Sequence, residues 1–319
     1  MSYHQEESFV DHSEYYIIPS SSSSTLLNHE HLKQLGEEFL KESISSSARL
    51  LYITVVGSTL YNLKEESPSS GSDFDLLMIY MLNGEQFLSM PSFSIDEPEL
   101  TYVDVNAIGS SKTRVLNLSE KGLTSVTKDG HDISCFEIGK FLELCLHGNP
   151  FVFQALFVPD YFVHQYQSRE WMELKLLNKY FLNKKVVSSH CAFAKRQLQQ
   201  GEGKIKRAYQ KNYYHALRLC YETERLIQGL TPLIRFEKNS PEREKLMEIR
   251  NHLPSEEKRS EYHQFIMNKL SSIEKTKPWN KVLNLHEIRM VDSGKYFVYH
   301  LNQWLIRLRV NDLLSRVEK

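Results

Sequence analysis

Two carboxylates stand one residue apart at the head of an apolar run, in Ser72-Asp73-Phe74-Asp75 followed by Leu76-Leu77-Met78-Ile79-Tyr80. In a strand, residues two apart project from the same face, so Asp73 and Asp75 point together. Neighbouring carboxylates repel unless a cation lies between them, and such oxygen ligands suit a divalent metal. Upstream, Gly57-Ser58 ends the run Leu50-Leu51-Tyr52-Ile53-Thr54-Val55-Val56. The glycine lets the backbone approach a ligand closely, and the serine adds a hydroxyl. A Gly-Ser turn facing an Asp-x-Asp strand is a metal–triphosphate site in outline.

The elements that must hold these groups follow from pattern. Residues 50–56 and 74–82 read as buried strands, rich in β-branched and aromatic residues. A helix over 27–47 precedes them, with Leu32, Leu35, Phe39 and Leu40 at helical spacing. A polar loop, 64–71, separates the two strands. Residues 100–108, 113–118 and 131–136 read as further strands. The last leads into a helix at 137–147 that stops at Gly148, with Asn149-Pro150 opening the next element. Beyond residue 165 the pattern is helical, over 168–182, 185–200, 204–229, 240–252, 256–274 and 296–318. The expected fold is α+β: a small mixed-sheet head followed by a helical body. The expected divisions are a loose N-terminal arm at 1–25 containing the run Ser20 to Ser24, a catalytic part at 26–165, and a basic, substrate-binding helical part at 166–319.

At the Gly-Ser and Asp-x-Asp residues the sequence resembles the DNA polymerase β superfamily of nucleotidyltransferases. The resemblance implies that Gly57-Ser58 opens a short helix beside the triphosphate. It also implies that Asp73 and Asp75 hold two magnesium (or manganese) ions, with a third carboxylate from a neighbouring strand. Asp132 occupies the position the pattern favours, and Asp104, in Tyr102-Val103-Asp104-Val105-Asn106, is the alternative. Cys135 through Leu142, His147 through Pro150, and Lys211 through Gly229 are similar to a subfamily associated with bacterial RNA-repair pathways. The resemblance covers about 48–255; residues after about 260 carry no matching motif. The chain departs from the pattern in a longer loop between Ser58 and Asp73, in Asn62 where glycine is usual after the aromatic Tyr61, and in Gln154 where glutamate is usual.

Lys211, His215, Arg218, Glu222 and Arg225 recur at helical spacing and share a face. Taken alone, the stripe forms a solvated face joined by Arg218–Glu222 and Glu222–Arg225 pairs. Taken with the resemblance, Lys211, His215 and Arg218 line the cleft opposite the carboxylates and contact the nucleotide or the acceptor. Charge is distributed to match: residues 1–168 carry 9 Lys+Arg against 23 Asp+Glu, and residues 169–259 carry 20 against 11. The four cysteines are widely spaced with no Cys-x-x-Cys pair, which argues against a zinc site and for reduced core thiols. No stretch reaches the roughly 20 apolar residues of a membrane span. The N-terminus lacks the form of a secretory signal, so the expected location is cytoplasmic. The resemblance implies a metal-dependent transfer of a nucleoside monophosphate from an NTP to an acceptor hydroxyl, on RNA or tRNA, with pyrophosphate released. A non-catalytic nucleotide- or RNA-binding module, and nucleotidylation of a protein or small molecule, are the alternatives.

Overall fold

The computed structural model describes residues 28–63, 74–83, 124–128, 131–202, 207–251, 255–276 and 291–317. Asp73, Asp104, the arm at 1–25, the loop at 64–71 and the expected strands at 100–108 and 113–118 lie outside these residues. The architecture is α+β, as the sequence pattern predicts.

Helix α1 (His29–Ser43) is capped by Asn28, whose side chain accepts from the His31 N–H. It buries Leu32, Leu35, Phe39 and Leu40 against the sheet. Strands β1 (Arg49–Val55) and β2 (Asp75–Met81) are apolar along almost their whole length, and every residue after the first of each is buried. That is the signature of central strands covered on both faces. They pair antiparallel, with Val55 opposite Leu76 and an irregularity between Leu50 and Tyr52. Strands β3 (Thr124–Lys128), β4 (His131–Glu137) and β5 (Gln165–Gln167) complete a five-stranded sheet in the order β3-β4-β2-β1-β5. β4 runs parallel to β2, and the other pairs are antiparallel. The sequence pattern does not reveal β3 or β5. One is five residues of mixed polarity, and the other is three residues, too short to show a period of two.

A four-residue helix, α2 (Gly57–Leu60), follows β1 directly. Helix α3 (Ile138–Leu146) begins where β4 ends, with Glu137 as N-cap accepting from the Gly139 N–H at 2.6 Å. It stops at Gly148, whose φ of +69° is left-handed, and a Cβ there would come within 2.5 Å of the Val186 backbone. Asn149 then caps α4 (Pro150–Phe153), with proline in the first turn.

The expected helix over 168–182 is two pieces: α5 (Arg169–Lys175) and a 3₁₀ turn at Asn178–Phe181. The break lets Phe181 turn into the core while Leu176 stays outside. Trp171 of α5 stacks on Tyr52 of β1, with ring centroids 4.1 Å apart, and joins the helix to the sheet. Helices α6 (Lys184–Glu202), α7 (Arg207–Ile227), α8 (Pro241–Asn251) and α9 (Glu256–Lys275) form the helical body, α7 packing on the other three. Helix α10 (Val291–Val317) returns to the sheet side. Arg309 pairs with Glu137 at 2.8 Å, and Arg316 donates to the Ser47 carbonyl at 2.9 Å. The four cysteines are buried, and none is in a disulfide. Among the described residues, no helix is long and apolar enough to cross a membrane.

Candidate active site

One edge of the sheet gathers most of the residues that could do chemistry. β1 ends there and β2 begins there, because the two are antiparallel. β4 also begins there, because it is parallel to β2. Asp75 and Asp132 are register partners on these adjacent strands, so their carboxylates sit side by side. The Asp132 N–H donates to the Phe74 carbonyl at 3.0 Å, and the Phe74 N–H donates to His131 Nδ1 at 3.3 Å, which fixes both strand starts. The choice between Asp132 and Asp104 is thus informed from one side: Asp132 stands beside Asp75, while Asp104 lies outside the described residues.

Gly57 supplies the third wall. Its φ is +67°, and a Cβ built on it would lie 2.7 Å from Asp75 Oδ2. The Asp75 carboxylate therefore rests against bare backbone that no other residue could provide. Val56, the N-cap of α2, makes no side-chain cap bond, so the helix's first N–H groups receive no acceptor from it. Such N–H groups suit an anion. Partial burial raises the pKa of Asp75 above the ordinary carboxylate value; Lys211 opposes the rise, and Asp132 adds to it. Two repelling oxygen donors of this kind fit a hard divalent cation such as magnesium or manganese. Among the described residues, no third His, Cys, Asp or Glu completes a metal-holding cluster.

Helix α7 approaches from the body. Lys211 is exposed and near enough to act on Asp75. His215, half-buried one turn on, has its pKa pushed down to about 3, first by burial and then by the positive charges of Arg218, Lys211 and Arg250. It is a neutral imidazole at any physiological pH. Tyr214 is buried beside it, ring centroids 4.2 Å apart, and senses both Arg250 and Asp75.

Arg218 lies deeper. It is 6% exposed, donates through Nη1 to Glu222, and lies over the Tyr61 ring with its Cζ 4.2 Å from the centroid. Burial opposes its charge, but Glu222 and the Tyr61 and Tyr214 rings outweigh that. The face expected to be solvated is in fact buried here. Its expected Glu222–Arg225 pair is replaced by an Arg225 Nε bond to the Thr231 carbonyl at 3.0 Å. Glu222 turns its other oxygen toward His190 Nε2 at 3.5 Å. Two of the three departures noted in the sequence, Asn62 and Gln154, meet the same small helix. Tyr61 donates its hydroxyl to Gln154, which in turn donates to the Phe151 carbonyl at 2.8 Å. Asn62 has a φ of +60°, the left-handed conformation in which glycine is most at ease and asparagine is tolerated.

Three residues with no assigned role in the sequence reading touch this turn. Arg235 Nη1 donates to the Thr59 and Leu60 carbonyls at 3.2 Å each. Arg243 Nε donates to the Asn62 carbonyl and Arg250 Nη1 to the Leu63 carbonyl, both at 2.6 Å. Arg243 and Arg250 are seven residues apart, two helical turns, which is the only trace of this arrangement in the sequence.

A comparison with curated proteins yields no match. Among solved structures, the chain is similar to a nucleotidyltransferase-like protein from Exiguobacterium sibiricum 255-15, at 15% identity over 90% of this chain and 89% of that one. The TM-score is 0.26, too low for the superposition to support a structural argument. Residues 30–292 match the model of the family described as the RNA repair pathway DNA polymerase beta family, a span that takes in the sheet, α2 and the body through α9. The chain belongs to that family.

Proposed function

We propose that this polymerase β-type nucleotidyltransferase moves a nucleoside monophosphate from an NTP to an acceptor hydroxyl on RNA or tRNA. The observation that carries the reading is the in-register pairing of Asp75 with Asp132 against the bare backbone of Gly57, with Lys211 near enough to act on Asp75. In this reading Asp73, Asp75 and Asp132 hold magnesium or manganese. When bound, the metal lowers the pKa of the acceptor hydroxyl and neutralises charge on the leaving pyrophosphate. The acceptor hydroxyl loses its proton to solvent, and its oxygen bonds to the α-phosphorus. The bond from that phosphorus to the bridging oxygen breaks, and pyrophosphate departs.

The chain's own groups orient these partners. The amides at Gly57 and Ser58 and the Ser58 hydroxyl take phosphate oxygens, and Lys211 supplies a point charge. Neutral His215 offers a hydrogen bond to the nucleotide or acceptor. Arg218 serves the nucleotide site through Tyr61. Most of the rate comes from positioning and charge complementarity. The part of the chain from 26 to 165 carries the carboxylates, and the part from 166 to 319 carries the basic side chains.

The test is incubation of the protein with each α-³²P-labelled NTP, magnesium or manganese, and total RNA, alongside Asp75→Asn and Asp73→Asn. Label should enter RNA with the intact protein and fall by at least about a thousandfold in either variant. Label on protein would redirect the reading to nucleotidylation of a partner. Metal-dependent NTP binding with no label anywhere would leave a non-catalytic binding module. Near-wild-type activity in Asp75→Asn would sink the site.

A further inference from the structure

We infer that Arg235, Arg243 and Arg250 are positioning residues of the nucleotide site: they hold the Gly57–Leu63 turn in the shape that accepts phosphate. The inference rests on the nucleotidyl-transfer reading.

A helix of four residues makes a single turn and cannot stabilise itself, because nucleation fixes several dihedrals for one hydrogen bond. Its shape must be imposed from outside. The outward carbonyls of Thr59, Leu60, Asn62 and Leu63 all accept from guanidinium groups carried by residues 235–250, more than 170 positions away. Two further bonds tie the same segments: the Phe236 N–H donates to the Tyr61 carbonyl at 3.2 Å, and Asn62 Nδ2 donates to the Phe236 carbonyl at 2.9 Å. Arg218 presses on the Tyr61 ring from α7.

The charges sit where they help. Cations at a helix C-terminus complement its carbonyl end, and holding that end fixes the direction of the amides at the other. Arginine suits the task better than lysine, since its weakly hydrated planar head carries five donors in a fixed fork. The arginines act through the turn and not on the nucleotide.

The experiment compares wild type with Arg235→Gln, Arg243→Gln and Arg250→Gln, and with Arg→Lys at each position to supply folded variants that keep one donor. Three quantities are read: hydrogen exchange of the amides over 57–63, equilibrium affinity for each of the four NTPs with magnesium, and the transfer rate at saturating NTP. The Gln variants should exchange faster within 57–63 and bind NTP roughly tenfold more weakly, the loss expected for about one hydrogen bond. Their rate at saturation should stay within about threefold of wild type, and Lys should restore part of the affinity. Faster exchange with unchanged affinity would overturn the inference, leaving a contact that serves the fold alone. Weaker affinity with unchanged exchange would overturn it too, since the arginines would then touch the substrate themselves. A wild-type protein that binds no NTP would fail the functional reading itself, an outcome distinct from failure in the variants only.

Discussion

His215 shows how strongly single residues are set by their surroundings. Its folded-state pKa of about 3 lies below the ordinary 6.5, so the unfolded chain takes up a proton first as pH falls. The stability this contributes is complete above pH 6.5 and drains away between 6.5 and 3. His215→Gln should therefore lose less melting temperature than wild type between pH 7 and pH 5; parallel losses would contradict the assignment. Tyr61 is a second case. Tyr61→Phe leaves the buried Gln154 oxygen without its donor and should cost about 1–3 kcal/mol in urea denaturation. The sequence announces both Tyr61 and Gln154, one as a family-like aromatic and the other as a departure, but not that they touch. They are 93 residues apart, and only the packing of α4 near α2 joins them. Arg218 is the opposite lesson: helical spacing puts it on the face of Lys211 and His215, while depth, which spacing does not encode, separates it from them.

At the scale of elements, the site is a consequence of register. One antiparallel and one parallel pairing bring the end of β1 and the starts of β2 and β4 to the same sheet edge. Strands β1 and β2 and the stop at Gly148 were legible because continuous apolar runs and a Gly-Asn-Pro sequence have few other uses. The register was not legible, because it depends on which strands pair. The grip on the α2 turn was not legible either, since it is assembled from arginines that resemble ordinary helix surface. Gly57→Ala tests the element directly. A left-handed φ costs a non-glycine residue about 1–3 kcal/mol, and the new Cβ would push on Asp75 Oδ2. Stability should fall by that amount, and transfer should fall much further than stability explains, as measured by denaturation and by labelled-NTP incorporation.

At the scale of the molecule, the acidic first half and basic second half meet at the site, where Lys211 is near enough to act on Asp75. The last helix, expected over 296–318 from its pattern but carrying no matching motif, closes back on the sheet. Glu137 and Arg309 are each largely enclosed, so Arg309→Met leaves the Glu137 carboxylate, at the end of β4, with its Gly139 N–H but without its cation. Roughly 3 kcal/mol of stability should be lost, as for other buried pairs broken on one side. Chemical denaturation of Arg309→Met beside Glu137→Gln/Arg309→Met checks this, because the double variant should recover part of the loss.

The Arg309–Glu137 contact also sets a clock. The two residues are 172 positions apart, and Arg316 reaches back 269 positions to Ser47. A ribosome adding about 5–20 residues per second needs roughly 10 to 35 seconds after making Glu137 before its partner exists. Throughout that interval the end of β4 opposite Asp132 is synthesised but not yet braced by α10. The end of the sheet away from the candidate site thus waits for the last helix, long after the strands that carry the carboxylates have been made.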